Sequence, residues 1–248
     1  MTLNLLLLFL AAFVPGLIMT KVSGMDSSKL KLVLIFSGAY LFSITIVHIF
    51  PELYAASEGQ GYKIGIYVLV GFFLQQVLEY FTSGVEHGHI HRDEGDHNHG
   101  QFTSVVVLIG LCLHAFLEGS LLAHPSTIHT DHNSLALLGG VILHKIPASI
   151  ALMSVLLCDI TNKSKAIIFL ILFAVASPLG LIASDMASHM GALSSEVIIL
   201  IFGVVSGNFL YISTTIFHET SPDHHFNARK TIVSLLGVLV AILAELFI

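Results

Sequence analysis

Apolar residues follow one another along this chain in long runs that short polar stretches separate. The hydrocarbon core of a bilayer is about 30 Å thick and a helical residue rises about 1.5 Å, so about 20 apolar residues make one crossing. Runs of this length predict an all-α membrane bundle in one domain, residues 1–248. Its eight helices, called spans one to eight, are expected at 2–19, 31–51, 62–81, 102–124, 134–158, 164–185, 195–216 and 230–248.

The composition excludes several other classes of protein. Of the 248 residues, 55% are apolar and 10% charged, whereas about a quarter of an average soluble domain is charged. Such hydrophobicity excludes a soluble or disordered chain, and 10 Lys and Arg against 16 Asp and Glu do not supply a nucleic-acid-binding face. The first run lacks the basic start and cleavage site of a signal peptide, so we count it as a span.

The positions of the basic residues predict how the bundle is oriented. The odd-numbered connections contain or adjoin eight of them, and the even-numbered connections hold only Lys63. Cytoplasmic loops are enriched in Lys and Arg, so the odd-numbered connections are expected in the cytoplasm and both termini outside. The eight are Lys21, Lys29, Lys31, Arg92, Lys163, Lys165, Arg229 and Lys230.

Spans two and seven carry similar polar patterns. Residues 41–52 read LFSITIVHIFPE and residues 210–223 read LYISTTIFHETSPD. Each pattern has hydroxyl residues, then a His, a Pro and an acid, on spans that cross in opposite directions. This predicts an inverted repeat of the transporter kind, and coincidence is the alternative.

Four ionisable residues lie inside the apolar runs of spans four and five. His114 is about midway along span four and Glu118 follows one helical turn later, on the same face. His144 and Lys145 occupy the middle of span five. A charge near the bilayer centre costs roughly 2.5–3.5 kcal/mol on insertion scales, so such residues usually serve a pathway or pair with each other.

The donor types favour a zinc-like site. The 15 histidines exceed the 10 Lys and Arg together, and imidazole with carboxylate suits Zn²⁺ and, less selectively, Fe²⁺, Mn²⁺ or Cd²⁺. Cys112 and Cys158 lack the spacing of a thiolate site. The alternative is that the buried histidines only hydrogen-bond across a helix interface.

Five short motifs in order resemble the ZIP (Zrt/Irt-like) family of divalent-metal transporters. They are HIFPE at 48–52, HAFLEG at 114–119, HKIPAS at 144–149, SPLG at 177–180 and SGNFLYIS at 206–213. The resemblance covers the whole chain. It implies metal uptake toward the cytoplasm by alternating access, with no enzymatic activity and no cofactor beyond the metal substrate. By position, His114, Glu118 and His144 match the family's ligands.

Three positions depart from the family pattern. Ala115 stands where an Asn is usual, Lys145 where an Asn or Asp ligand is common, and Ala148 where a Glu bridges two metals. We therefore expect a single metal site in which the ammonium of Lys145 replaces the second ion beside Glu118. The alternative is that Lys145 snorkels or is neutral.

Three protein donors leave the coordination of an ion incomplete. A water, Ser177, a residue of span two or the carbonyl of Leu143 is expected to complete it. Pro147 has no N–H, so the Leu143 carbonyl loses its helical hydrogen bond.

Further polar residues are candidates for the pathway, although each one singly is more usually a solvated residue. At the outer side they are His48, Glu52, Asp185 and His189, with His124, His129, Asp131 and His132 in the loop after span four; at the inner side they are His218 and Glu219.

The connection at 84–101 is polar and glycine-rich, so we expect a flexible cytoplasmic loop that buffers metal. Its candidate ligands are His87, His89, His91, His97 and His99.

Two alternative functions remain open from the sequence. One is a membrane zinc hydrolase with Glu118 as general base, but the sequence contains none of the HExxH, GxSxG and Ser–His–Asp patterns of such enzymes. The other is a metal-binding relative without transport. The expected partners are divalent metal ions and the lipid bilayer, in a cell membrane. A homodimer is one assembly that the sequence permits.

Overall fold

The computed structural model describes residues 1–21, 27–57, 59–82, 100–123, 134–192, 194–219 and 227–247, and this part of the chain is helical apart from short turns. The helices are α1 (Thr2–Met19), α2 (Ser27–Ile44), a π-helical turn (Thr45–Ile49), α3 (Phe50–Ala56), α4 (Gly61–Thr82), α5 (Gly100–Leu121), α6 (Ser134–Asp159), α7 (Lys163–His189), α8 (Ser195–Glu219) and α9 (Ala228–Phe247).

The prediction of eight spans in a helical bundle is confirmed, because the described residues contain eight helical stretches long and apolar enough to cross a membrane. Span two consists of α2, the π-helical turn and α3, and α4 to α9 are spans three to eight. Span four ends at Leu121, before its predicted limit of 124. Pro125 explains the difference, since the residue before a proline disfavours helix.

Span two passes through its proline without breaking. Pro51 lies in the first turn of α3, directly after the π-helical turn, and it has no N–H to donate to the preceding turn of this continuous helix. Immediately before it, the N–H of Phe50 donates to the carbonyl of Thr45, five residues back. The wider π-helical turn accommodates the proline, and span two continues to Ala56.

The bundle is built from pairs of closely packed helices. The most extensive contacts join α4 with α8, α5 with α7, α2 with α9, and α1 with both α6 and α7. Glycines permit the close approach, because a Cβ on Gly119 would overlap the carbonyl of Ser177 and one on Gly71 would overlap that of Val204. Small residues at helix interfaces are how membrane helices pack without a hydrophobic driving force.

Two apolar clusters lie on either side of a polar layer in α5 and α6. One contains Leu121, Leu137 and Val141, and the other contains Leu111 and Leu152. The buried ionisable residues of both helices fall between these positions in the sequence. The clusters therefore separate the polar layer from the two ends of the bundle.

The interface of α4 with α8 generates a stability prediction. Gly71→Ala should destabilise the protein by about 1–3 kcal/mol, because the new methyl group has no space against the backbone of α8. The matched control is Gly65→Ala in the same helix, where a Cβ meets nothing within 4 Å. Thermal unfolding midpoints in detergent, read by size-exclusion chromatography, compare the two, and equal midpoints would contradict the prediction.

Candidate metal site

The four ionisable residues of spans four and five meet in the interior of the bundle. His114 and Glu118 lie one turn apart on α5, and His144 and Lys145 are adjacent on α6. Their exposed fractions are 2%, 1%, 1% and 1%. Glu118 lies in the last turn of α5, and His114 lies one turn earlier.

The carboxylate of Glu118 divides its two oxygens between different partners. Oε1 lies 3.0 Å from Nε2 of His114 and 3.9 Å from Nε2 of His144. Oε2 accepts a hydrogen bond of 2.7 Å from Nζ of Lys145. One oxygen thus faces the two imidazoles and the other faces the ammonium.

The imidazole side of Glu118 has the dimensions of a metal site. One donor atom from each of His114, Glu118 and His144 can be chosen so that all three lie within 4.8 Å of one another. Two ligands that are each about 2.0–2.1 Å from Zn²⁺ lie at most about 4 Å apart. Movement of these side chains toward one another would bring the three donors onto one ion.

Lys145 does not snorkel to the surface. It is among the largest fully buried side chains, and its Nζ also lies 5.4 Å from the centre of the Phe173 ring on α7. An ion pair at 2.7 Å attracts by roughly 6 kcal/mol at an effective dielectric near 20, which offsets part of the cost of burying both charges. The ammonium is held between a carboxylate and an aromatic face.

Ser177 supports the site from α7. Its hydroxyl is buried and donates to the carbonyl of Ala115, the residue after His114. The backbone of Ser177 also packs on Gly119, the residue after Glu118. Both contacts tie α7 to the turn of α5 that carries the donors. Ala115 and Ala148 are buried and offer no side-chain donor.

A second group of ionisable residues lies near the C-terminal ends of spans two and eight. His48 is 2% exposed, with Nε2 lying 3.6 Å from Glu52 and Nδ1 lying 3.3 Å from Glu245 of α9. His48 and Glu52 are among the predicted pathway residues, whereas Glu245 is not. The available signal was a carboxylate within the apolar run of span eight.

The remaining pathway candidates do not join these two groups in the described residues. Asp185 and His189 pair with each other at 3.6 Å, and the His189 side chain is 79% exposed. His218 is exposed at the end of α8. Outside the described residues or side chains lie Glu219, the outer-loop positions His124, His129, Asp131 and His132, and the loop histidines His87, His89, His91, His97 and His99.

Fold and site together define a class of protein: a multi-pass helical membrane protein with a buried cluster of His and Glu side chains that could hold a metal ion. The family model described as ZIP Zinc transporter matches residues 83–245, which is more than half of the chain. The chain therefore belongs to the ZIP zinc transporter family and is an integral membrane protein.

Individual relatives agree with the family match. Zinc transporter ZIP1 of Plasmodium falciparum (isolate 3D7) is 25% identical, over 73% of this chain and 67% of the relative. Zinc transporter ZIP9 of Xenopus tropicalis is 24% identical, over 66% and 55%, and that of Micropogonias undulatus is 26% identical, over 67% and 54%. The chain thus spans about two thirds of the first relative and about half of the others.

The family is one of transporters rather than enzymes, with zinc as its substrate. This finding agrees with the expectation that the chain is not an enzyme and argues against the hydrolase alternative.

The ion pair generates a prediction that a double-mutant cycle can test. Lys145→Met should destabilise the protein by about 3–5 kcal/mol, because Glu118 keeps a buried charge without its nearest partner. Adding Glu118→Gln removes that charge and should recover much of the loss. Thermal unfolding midpoints of the single and double variants measure the coupling, and purely additive effects would contradict it.

Proposed function

We propose that this protein carries divalent transition-metal ions, Zn²⁺ first among them, across the membrane toward the cytoplasm by alternating access. Cd²⁺, Fe²⁺ and Mn²⁺ suit the same donors less selectively. The observation that carries the proposal is the buried convergence of His114, Glu118 and His144 in a member of a zinc transporter family.

We propose further that the site holds a single ion and that Lys145 takes the place of a second. The ammonium lies 2.7 Å from Oε2 of Glu118. It therefore occupies the position in which a second metal would bind this oxygen of a bridging carboxylate. Ala148 offers no second carboxylate on α6. Glu118 is therefore a ligand through Oε1 alone.

The charge balance of this arrangement favours a loosely held ion. With neutral imidazoles, Glu118 and Lys145 together carry no net charge before a dication enters. The bound ion then adds two positive charges that the nearest protein groups leave uncompensated, in an interior where each charge is costly. Weak binding suits a carrier, because a substrate that binds too tightly does not leave.

The proposed orientation has both termini outside and the connection at 84–101 in the cytoplasm, where its histidines buffer metal.

The helix pairing supports an inverted repeat. In such a repeat, spans one, two and three correspond to spans six, seven and eight, and span four corresponds to span five. The contact of span three with span seven then corresponds to the contact of span eight with span two. Likewise, the contact of span four with span six corresponds to the contact of span five with span one. Both members of each pair are observed as close contacts.

The two apolar clusters beside the polar layer support alternating access. Each cluster lies between the donors and one end of α5 and α6. An ion at the site reaches either side only when the corresponding cluster opens.

Metal flux into proteoliposomes tests the transport proposal. Wild-type protein should take up Zn²⁺, and His114→Ala or Glu118→Ala should lower the rate by at least about tenfold, because each removes one of three buried donors. His189→Ala is the matched control, since that imidazole pairs with a carboxylate at the protein surface. Wild-type protein that binds zinc through Glu118 but gives no flux would identify a metal-binding relative without transport.

Ion counting tests the single-ion proposal. Equilibrium dialysis with metal analysis should show that Glu118→Gln loses one Zn²⁺ per chain relative to wild type. In a Lys145→Asp background, the same Glu118 change should lose two, because the new carboxylate opens the position that the ammonium fills. A loss of two ions from the wild-type background would contradict a tethered cation.

A further inference from the structure

A small cavity with a polar rim lies at the end of the bundle where spans three and seven begin. It measures about 180 Å³ and is enclosed by the start of α4, the end of α3 and the start of α8. Apolar and aromatic side chains from these helices form part of its wall. The polar residues that line it are Ser57, Gln60, Lys63, Ser195 and Glu196.

Two opposite charges line this cavity without pairing. Lys63 lies in the first turn of α4 and Glu196 in the first turn of α8. Within the described part of the chain, neither side chain takes part in an ion pair or a side-chain hydrogen bond. Lys63 is also the only Lys or Arg in the even-numbered connections, on the side of the membrane where basic residues are scarce. A ligand with one positive and one negative group would find a partner for each.

Two exposed tyrosines place the cavity at the depth of the lipid headgroups. Tyr62 is 69% exposed and Tyr80 is 83% exposed, near opposite ends of α4. The 18 residues between them correspond to a rise of about 27 Å, close to the hydrocarbon thickness of about 30 Å. Tyrosine is enriched at both membrane interfaces. Lys63 follows Tyr62 directly, so its ammonium lies near the phosphate groups of one leaflet.

An apolar groove runs along the exposed face of α4 from the level of the cavity. Lys63, Ile66 and Val70 are spaced by three and four residues, so they follow one another on one face of the helix. From Ile66 to Val77 the helix rises about 17 Å, which is close to one leaflet, or half of about 30 Å. The groove thus has the place and length of an acyl chain. Its residues are Ile66, Leu69, Val70, Phe73, Leu74 and Val77.

We propose that the cavity and the groove together bind one phospholipid with an ethanolamine headgroup. The phosphate pairs with the ammonium of Lys63, the ethanolamine ammonium donates to the carboxylate of Glu196, and one acyl chain lies along the groove. Choline carries no N–H to donate, and an anionic headgroup offers Glu196 no positive charge. The lipid bridges span three to the start of span seven, and its binding does not depend on the proposed transport.

The residues of the groove favour a lipid over a second copy of the chain. Membrane helices associate through small residues that allow close approach, whereas the groove is lined by Ile, Leu, Val and Phe. On α4, Gly71 is directed at the backbone of α8 within the same bundle. The groove therefore presents a surface suited to hydrocarbon, next to charges suited to a headgroup.

Native mass spectrometry of the full-length protein tests the proposal. Delipidated protein in detergent is mixed with equal amounts of phosphatidylethanolamine, phosphatidylcholine and phosphatidylglycerol with the same acyl chains. One phosphatidylethanolamine per chain should be retained, with a Kd at least about tenfold lower than for the other two, because it alone makes both charge-assisted hydrogen bonds. Equal retention of the three lipids would overturn the headgroup site.

Charge variants of the cavity sharpen the test. Lys63→Gln and Glu196→Gln should each raise the Kd for phosphatidylethanolamine about tenfold. Glu196→Lys should transfer the preference to phosphatidylglycerol, because both cavity charges are then positive, and misfolding would not produce such a gain. Lys163→Gln, at an exposed lysine in the first turn of α7, is the matched control and should bind like the wild type. Wild-type selectivity in all three cavity variants would contradict the proposal.

Two further measurements separate a lipid from other occupants. Phosphoethanolamine without acyl chains should not displace the lipid at equal concentration, because it lacks the apolar contact with the groove. Its displacement of the lipid would identify a site for a soluble zwitterion and overturn the lipid. Phe73→Ala should weaken lipid binding and leave the number of chains per particle unchanged. A particle of two chains that this variant converts to one would identify a second copy as the occupant.

Discussion

The hydrogen bond between Lys145 and Glu118 is the interaction on which the polar centre of this bundle depends. It joins two charges that are each about 1% exposed, and it holds the carboxylate in one orientation. Because Oε2 is bound to the ammonium, Oε1 is directed toward His114 and His144. A single ion pair therefore both reduces the cost of a buried acid and directs its other oxygen toward the two imidazoles.

That contact is possible because the surrounding helices approach closely. Gly119 follows Glu118 and packs directly on the backbone of Ser177, while the Ser177 hydroxyl bonds to the carbonyl of Ala115. α7 also supplies Phe173, whose ring lies near the ammonium. α7 thus positions the turn of α5 that carries His114 and Glu118 through a hydroxyl group and a backbone contact, not through a charged group.

The group around His48 joins two spans in a related way with different elements. There a π-helical turn and a proline in span two place an imidazole against the end of span eight. In both groups a carboxylate contacts a polar partner on another span, and the two groups lie in separate regions of the bundle.

The amino-acid sequence by itself determined the number of spans, the helical class and the ionisable residues buried in spans four and five, because lipid requires long apolar helices and makes every buried charge conspicuous. It also marked Lys145 as a departure from the family pattern. Only the tertiary structure showed the partners that come from distant parts of the chain: Glu245 beside His48 and Phe173 beside Lys145. Local sequence patterns report the face of one helix, whereas the contact of two helices depends on packing that no single segment encodes.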